Sequence, residues 1–300
     1  MPESMRVFDR RSVRQHRDRA AKTLPDHDFL LRAVGERLLD RLDDVRRTFP
    51  LALDLGCHRG ELSTMLAGRG GIKTLVQCDL SEAMVRAATS LRAVADEEAL
   101  PFADGSFDLV LSAMSLHWVN DLPGTLLQLR RILRPDGLLL MALLGGDTLK
   151  ELRCALAEAE IAGEGGLSPR VSPFADVRDI GNLLQRAGFA LPVVESDTIT
   201  VSYGDPLSLL ADLHGMGESN AVLHRRKTLM RRKTLLAALQ RYRDGHGHDG
   251  RVPATFQVIF AVAWAPDQTQ PQPLRPGSAV ARLADALQTD EFPSGDPARP

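Results

Sequence analysis

Leu51-Ala52-Leu53-Asp54-Leu55-Gly56-Cys57-His58-Arg59-Gly60 is a short apolar run that ends in an acid and then in a turn punctuated by glycine. A continuous apolar run followed by glycine is what a parallel strand covered on both faces requires. Its carboxyl end is therefore expected to meet a ligand. Gly56 would let that ligand approach the backbone, and Gly60 would open a helix packed closely on the sheet.

Two ligand classes compete for this turn. A dinucleotide fingerprint, G-x-G-x-x-G, would place glycines at 56, 58 and 61, but the chain has His58 and Glu61. A carboxylate in the first helical turn also repels a pyrophosphate held at the helix N-terminus. S-adenosylmethionine carries no phosphate and has a cationic sulfonium, so an acidic rim suits it. Thr74-Leu75-Val76-Gln77-Cys78-Asp79-Leu80-Ser81 supplies a second apolar run ending in an acid, where the next strand of a nucleotide-binding α/β unit carries its ribose ligand. Asp79 is the expected ribose ligand. Singly, Asp54 and Asp79 also read as loop or cap residues.

The 300 residues, 44% of them hydrophobic, suffice for a large core. No apolar run reaches the roughly 18 residues that span a bilayer, and a net charge of −2 gives no pull toward nucleic acid. Cys57, Cys78 and Cys154 form neither a C-x-x-C pair nor a metal-ligand rhythm, which points to a reducing compartment. The basic N-terminal segment with Arg6, Arg10, Arg11, Arg14, Arg17, Arg19 and Lys22 is interrupted by Glu3, Asp9 and Asp18. Transit peptides are acid-poor, so this segment is expected to be mature structure. The expected location is a bacterial cytoplasm, or the mitochondrial matrix in a eukaryote.

Apolar spacing predicts a helix over 28–47, a helix capped by Ser81 and running to about 91, a short strand over 94–102, and a strand over 107–112. A helix over 122–133, a fifth strand over 138–144, helices over 148–160 and 173–187, and extended runs over 191–203 and 255–264 follow. This alternation predicts an α/β fold with a mostly parallel sheet and right-handed crossovers. The expected division is a helical segment over 1–48, a sheet domain over 49–203 and 251–265, a helical cap insertion over 204–250, and a loosely held tail over 266–300 rich in Pro, Gly, Asp and Ser.

With Asp54, Gly56, Gly60, Asp79, Asp96 and Ser112 at these positions, the chain resembles the class I S-adenosylmethionine-dependent methyltransferases. Longer strings narrow this. Val7-Phe8-Asp9-Arg10, Phe49 through Cys57, Ala95-Asp96-Glu97-Glu98, Ser115 through Pro123, Gly145 through Leu149, Glu151-Leu152-Arg153-Cys154, Met216-Gly217-Glu218-Ser219-Asn220 and Val252-Pro253-Ala254-Thr255 resemble the family of mitochondrial complex I assembly factor 5 and its bacterial relatives, over about residues 5 to 280. The chain is also similar to the malonyl carrier-protein methyltransferases of biotin synthesis. The resemblance implies a seven-stranded Rossmann-like methyltransferase sheet, S-adenosylmethionine as cofactor, and, for the mitochondrial branch, hydroxylation of an arginine in a complex I subunit. It assigns Asp54 and the turn 56–60 to the methionine end, Asp79 with Leu80 to the ribose side, and Asp96 ahead of its neighbour Glu97 to the adenine amino group. Ser112 to Leu116 would pass beneath the sulfonium. The family's middle glycine is His58 here, a side chain that either contacts the cofactor or crowds it.

His117 and Trp118 are the acceptor-side candidates, because His exchanges a proton near neutral pH and Trp lines a pocket for a cation; a packed pair covering the crevice is the alternative. Asp147 could orient a guanidinium or cap the following helix. His16-Arg17-Asp18 and His246-Gly247-His248-Asp249 carry iron-like spacings on unsuitable segments, so no metal is expected. His224-Arg225-Arg226-Lys227, Arg231-Arg232-Lys233 and Arg241 to Arg243 read as a basic helix over 224–243, with Leu229, Leu236 and Leu239 on one stripe. It would cap the pocket and suit an acidic partner, or be a solvated face. The expectation is an enzyme acting on a protein client, which the resemblance implies is a complex I subunit. O-methylation of a carrier-bound or small acid and non-catalytic chaperoning are the alternatives.

Overall fold

The computed structural model describes residues 6–271, 277–278 and 280–290. Three helices come first: α1 (Arg10–Ala20), α2 (Leu24–His27) and α3 (Phe29–Asp43). The sheet is built from β1 (Leu51–Leu55), β2 (Thr74–Asp79), β3 (Leu91–Val94), β4 (Phe107–Ala113), β5 (Leu133–Leu144), β6 (Ala190–Tyr203) and β7 (Val252–Trp264). Between them run α4 (Glu61–Met65), α5 (Glu82–Ala87), α6 (Leu122–Ile132), α7 (Lys150–Glu164), α8 (Val177–Arg186), α9 (Pro206–Gly215) and α10 (Arg232–His246).

The strand order is β3-β2-β1-β4-β5-β7-β6. The first five pair in parallel, and β7 runs antiparallel to both β5 and β6. Seven strands with helices on both faces, as the resemblance implies, are therefore present. The chain leaves β1 toward β2 and β3 on one side and returns to β4 and β5 on the other. That reversal opens a crevice at the carboxyl ends of β1 and β4, where open α/β sheets bind ligands.

Period-two alternation sorts the central strands between two cores. On β4 and β5, Leu109, Leu111, Leu138 and Leu140 enter one core with α3 and α7; Val110, Leu139, Met141 and Leu143 enter the other with α6 and α8. In α3, Leu30, Leu31, Val34, Leu38, Leu39 and Leu42 are all buried, the apolar stripe visible in the sequence. Truncating one such leucine to alanine costs roughly 2–5 kcal/mol.

Three expectations are corrected. The strand expected over 94–102 lies earlier, at Leu91–Val94, paired with β2. After it the chain turns, because Asp96 Oδ1 accepts from the Glu98 N–H at 3.0 Å. The basic helix expected over 224–243 begins only at Arg232. Residues ahead of it are held to other loops by their arginines: Arg225 donates to Ser12 Oγ and the Val222 carbonyl, and Arg226 pairs with Glu164. Leu229 is 97% exposed and Leu236 half-exposed, so the leucine stripe is absent. Instead α10 buries Thr234, Ala238, Leu239 and Tyr242, and contacts α7 most extensively.

Asp267–Pro300 forms a separate unit. Its described part contains a short helix, α11 (Leu283–Leu287). The loose tail expected over 266–300 falls partly on 272–276, 279 and 291–300, outside the described residues. No helix among the described residues is long and apolar enough to cross a membrane.

Candidate functional site

The β1 turn is shaped by two left-handed glycines. Gly56 has φ +68°, and a Cβ there would lie 2.1 Å from the Ser115 side chain. Gly60 has φ +97° and precedes α4 as its cap residue. The turn thus closes tightly onto the loop after β4 because Gly56 has no side chain.

Buried acids line the crevice, and two arginines from α1 meet them. Asp79 Oδ1 accepts from the Ser81 N–H at 2.8 Å, and its Oδ2 from the His58 N–H at 3.1 Å. Arg17, 2% exposed, donates Nη1 to Asp79 Oδ2 at 3.1 Å and to Glu97 Oε1 at 3.0 Å, and Nη2 to Ser115 Oγ at 2.9 Å. Arg10 Nη2 donates to Asp96 Oδ1 at 2.6 Å and to Glu97 Oε2. Burial would raise the Glu97 carboxyl, but Arg10, Arg17 and the Ser115 hydroxyl outweigh it and hold it at about 2. Of the two adjacent acids, Asp96 was expected ahead of Glu97 at the adenine; the structure shows how differently they are buried. The Asp96 turn swings Glu97 inward to full burial and leaves the Asp96 side chain 33% exposed.

Helix α1 is pinned over the crevice. Asp9 caps it, Asp18 Oδ1 accepts from Ser81 Oγ at 2.6 Å, and Phe8 meets Trp118 edge-on at 5.3 Å. Leu80, expected beside the ribose, packs against the apolar cluster of Phe8, Val13, Trp118, Ala221 and Val222.

The polar atoms left over test whether a cofactor suits the crevice. Asp54 Oδ1, His58 Nδ1 and Ser112 Oγ are buried and have no hydrogen-bond partner among the described residues. Burial, with Glu61 and Asp79 adding to it against the Gln77 hydrogen bond, pushes the Asp54 carboxyl up to about 7. Orphaned groups of this kind each cost about 1–3 kcal/mol, and an incoming ligand with donors repays that cost. They stand beside a glycine cradle and a pair of buried acids, a set that fits S-adenosylmethionine. His58, at φ +49°, places Nε2 3.2 Å from the Ala113 carbonyl. Its ring thus spans β1 to β4 and forms part of the wall.

His117 and Trp118 come together as expected, joined by a residue that sequence reasoning had quoted but not assigned. Glu218 Oε2 lies 3.0 Å from His117 Nε2 and accepts from Trp118 Nε1 at 3.0 Å. Burial opposes its charge, but His117, Arg17 and His58 together lower the Glu218 carboxyl. Trp118 and Glu218 line an apolar cavity of about 220 Å³, with α9 residues Leu210 and Leu213 also in its wall. Residues of 206–220, rather than the basic stretch, therefore cover this pocket.

Asp147 lies elsewhere. It is exposed, its N–H donates to Gln257 Oε1 at 2.9 Å, and Leu149 rather than Asp147 occupies the cap position of α7. His16 contacts the Ser219 carbonyl at 3.1 Å while Asp18 meets Ser81, so the two do not converge. His248 and Asp249 pair on an exposed turn. Burial drives the Cys57 and Cys78 thiols upward, away from nucleophilic character. The residues missed from sequence, Arg10, Arg17 and Glu218, all fall in strings that carried a family resemblance or in the arginine-rich N-terminal segment; only packing showed what they meet.

Residues 53–141 match the methyltransferase domain family. The mitochondrial arginine-hydroxylase NDUFAF5 of Danio rerio is 44% identical over 302 residues, covering 96% of this chain and 94% of the relative. The malonyl-acyl-carrier-protein O-methyltransferase of a Methylovorus species is 36% identical, covering 87% of this chain and 90% of the relative. Among solved structures, a SAM-dependent methyltransferase of Thermotoga maritima superposes with a TM-score of 0.50 at 14% identity, covering 84% of this chain and 99% of that one. At that identity the likeness bears on the fold.

Proposed function

Because the chain belongs to the NDUFAF5 arginine-hydroxylase family, we propose that it binds S-adenosylmethionine in the β1–β4 crevice and modifies an arginine of a protein client, a complex I subunit under assembly. The observation that carries this is the crevice itself, with its glycine cradle, orphaned Asp54, His58 and Ser112 atoms, and buried Asp79 and Glu97. Asp79 would take the ribose hydroxyls, Asp54 the cationic amino group, and Glu97 with Asp96 the adenine amino group. An ammonium beside Asp54 would return its carboxyl to the ionised form. When bound, the cofactor supplies an electrophilic methyl group on a sulfonium.

The chain's own residues prepare the acceptor. Trp118 and Glu218 line the cavity and His117 contacts Glu218, a place where an acceptor would be oriented and water excluded. Hydroxylation is the outcome that the relatives' name carries; methylation is the outcome that the fold's chemistry carries. Product mass separates them. Protein, S-adenosylmethionine and a candidate client are incubated in air with a two-electron reductant, and arginine peptides are weighed. A gain of one oxygen supports hydroxylation, a gain of one methyl supports methylation, and unmodified arginine despite cofactor binding overturns the proposal.

The 36% identity to the malonyl carrier-protein methyltransferase favours one second reading, O-methylation of a carrier-bound acid. The basic stretch 224–233 would then face an acidic carrier, and methylation of a malonyl carrier protein tests it. We assign the chain to a bacterial cytoplasm, or to the mitochondrial matrix in a eukaryote; the Danio rerio relative's name gives that protein as mitochondrial.

A further inference from the structure

We propose that Glu218 anchors the cationic head of the acceptor side chain, with the apolar cavity beside it holding the aliphatic stem. This rests on the arginine-modifying reading above and names the subsite within it. The Glu218 side chain is only 8% exposed. Both of its short contacts, to His117 and Trp118, fall on Oε2, and Oε1 carries no hydrogen bond among the described residues. Unlike the orphaned Asp54 Oδ1, this oxygen is not sealed from solvent, so a donor on a ligand can reach it. Glu218 lines the cavity, so the missing donor has room to arrive from that side.

The cavity itself selects for shape. At about 220 Å³ it is smaller than the roughly 300–1,000 Å³ of pockets for drug-sized ligands, and suits a single side chain. Leu30, Leu144, Leu152, Leu156, Phe174 and Phe256 supply apolar walls for a methylene stem. Trp118 lies in the same wall and offers a ring on which a guanidinium plane stacks. The cation within the cavity that could cancel Glu218 is Arg170, and it is already paired with buried Glu160. His214 contributes at the periphery and is itself exposed.

Calorimetry with three capped peptides tests this. The peptides are identical apart from one central residue, which is arginine, citrulline or lysine. The expected result is that the intact protein binds the arginine peptide at least tenfold more tightly than the citrulline peptide, with lysine between them. Glu218→Gln should erase the preference for arginine while leaving citrulline affinity unchanged, a pattern that loss of His117 and Trp118 support alone would not produce. Leu213→Phe narrows the cavity without touching Glu218, and should weaken both the arginine and citrulline peptides at least tenfold; unchanged binding by it overturns the subsite even if Glu218→Gln does not fold. If the intact protein prefers arginine and Glu218→Gln retains that preference, the anchor is wrong and the arginine-modifying reading survives. If the intact protein shows no preference for arginine over citrulline, both fall.

Discussion

Replacing Arg17 with methionine keeps most of the buried stem but removes the cation between Asp79 and Glu97. Glu97 sits at about 2 against an ordinary 4.5, which corresponds to roughly 3 kcal/mol, shared among Arg10, Arg17 and Ser115. Arg17 also pairs with Asp79 at 3.1 Å, and removing one partner of a buried ion pair costs about 3–5 kcal/mol. Taken together these give a loss of about 3 kcal/mol at neutral pH, or about 6–12 °C in melting temperature at the sensitivity of domains of 150–250 residues. The sign with pH follows from Glu97. Its folded value lies below its unfolded one, so its contribution is present in full above about 4.5 and is lost as pH falls toward about 2. The gap between the parent and R17M should therefore be widest at pH 6–8 and close on acidification through that window, read by thermal unfolding at a series of pH values. Because Arg17 occupies carboxylates that the cofactor's ribose and adenine would use, R17M should also bind S-adenosylhomocysteine more tightly by calorimetry. Melting within about 1 °C of the parent at pH 7, with no dependence on pH, would refute the reasoning.

Asp54→Asn removes a buried acid whose folded value, about 7, lies above its ordinary 3.8. The parent's stability is full below about 3.8 and declines as pH rises to about 7, so the variant should gain on it across that window, reaching roughly 2–4 kcal/mol by urea unfolding at pH 8; a gap independent of pH counts against this. Gly56→Ala would place a Cβ 2.1 Å from Ser115 at φ +68°, whereas at Gly105, φ +62°, nothing lies within 4 Å. The first should cost about 3 kcal/mol or more and the second about 1–2 kcal/mol in denaturant melts, and equal costs would show that the Ser115 contact is soft. Iodoacetamide should modify exposed Cys154 in the native protein and reach buried Cys57 and Cys78 only after unfolding, as peptide mass mapping would show.

Much of the fold was legible because its determinants are local. The run 51–60 specifies a strand, a tight turn and a helix start through side-chain size and glycine conformation alone, and the strand and turn lie where expected. Ser81 caps α5 by accepting from the Met84 N–H at 3.1 Å, as its position before Glu82 implies. The site was less legible wherever charges pair across the chain. Arg17 lies 62 residues from Asp79 and 80 from Glu97, and Glu218 lies 101 from His117. Neither periodicity nor spacing reports such distances. Which of Asp96 and Glu97 is buried was illegible for a related reason: a single Asx turn decides which of two adjacent acids faces inward.

By itself, then, the sequence determined the α/β class, the β1 turn and the acids at the ends of β1 and β2, and it pointed away from a phosphate-bearing ligand. These follow from hydrophobic period, glycine stereochemistry and the charge carried by Glu61, all properties of short windows. Only the tertiary structure decided that α1 lays Arg10 and Arg17 across the acidic rim, that Glu97 rather than Asp96 is buried there, and that Glu218 joins His117 and Trp118 beside a cavity. Burying a charge demands a partner, and which partner arrives is set by the packing of distant elements rather than by any residue's neighbours in sequence.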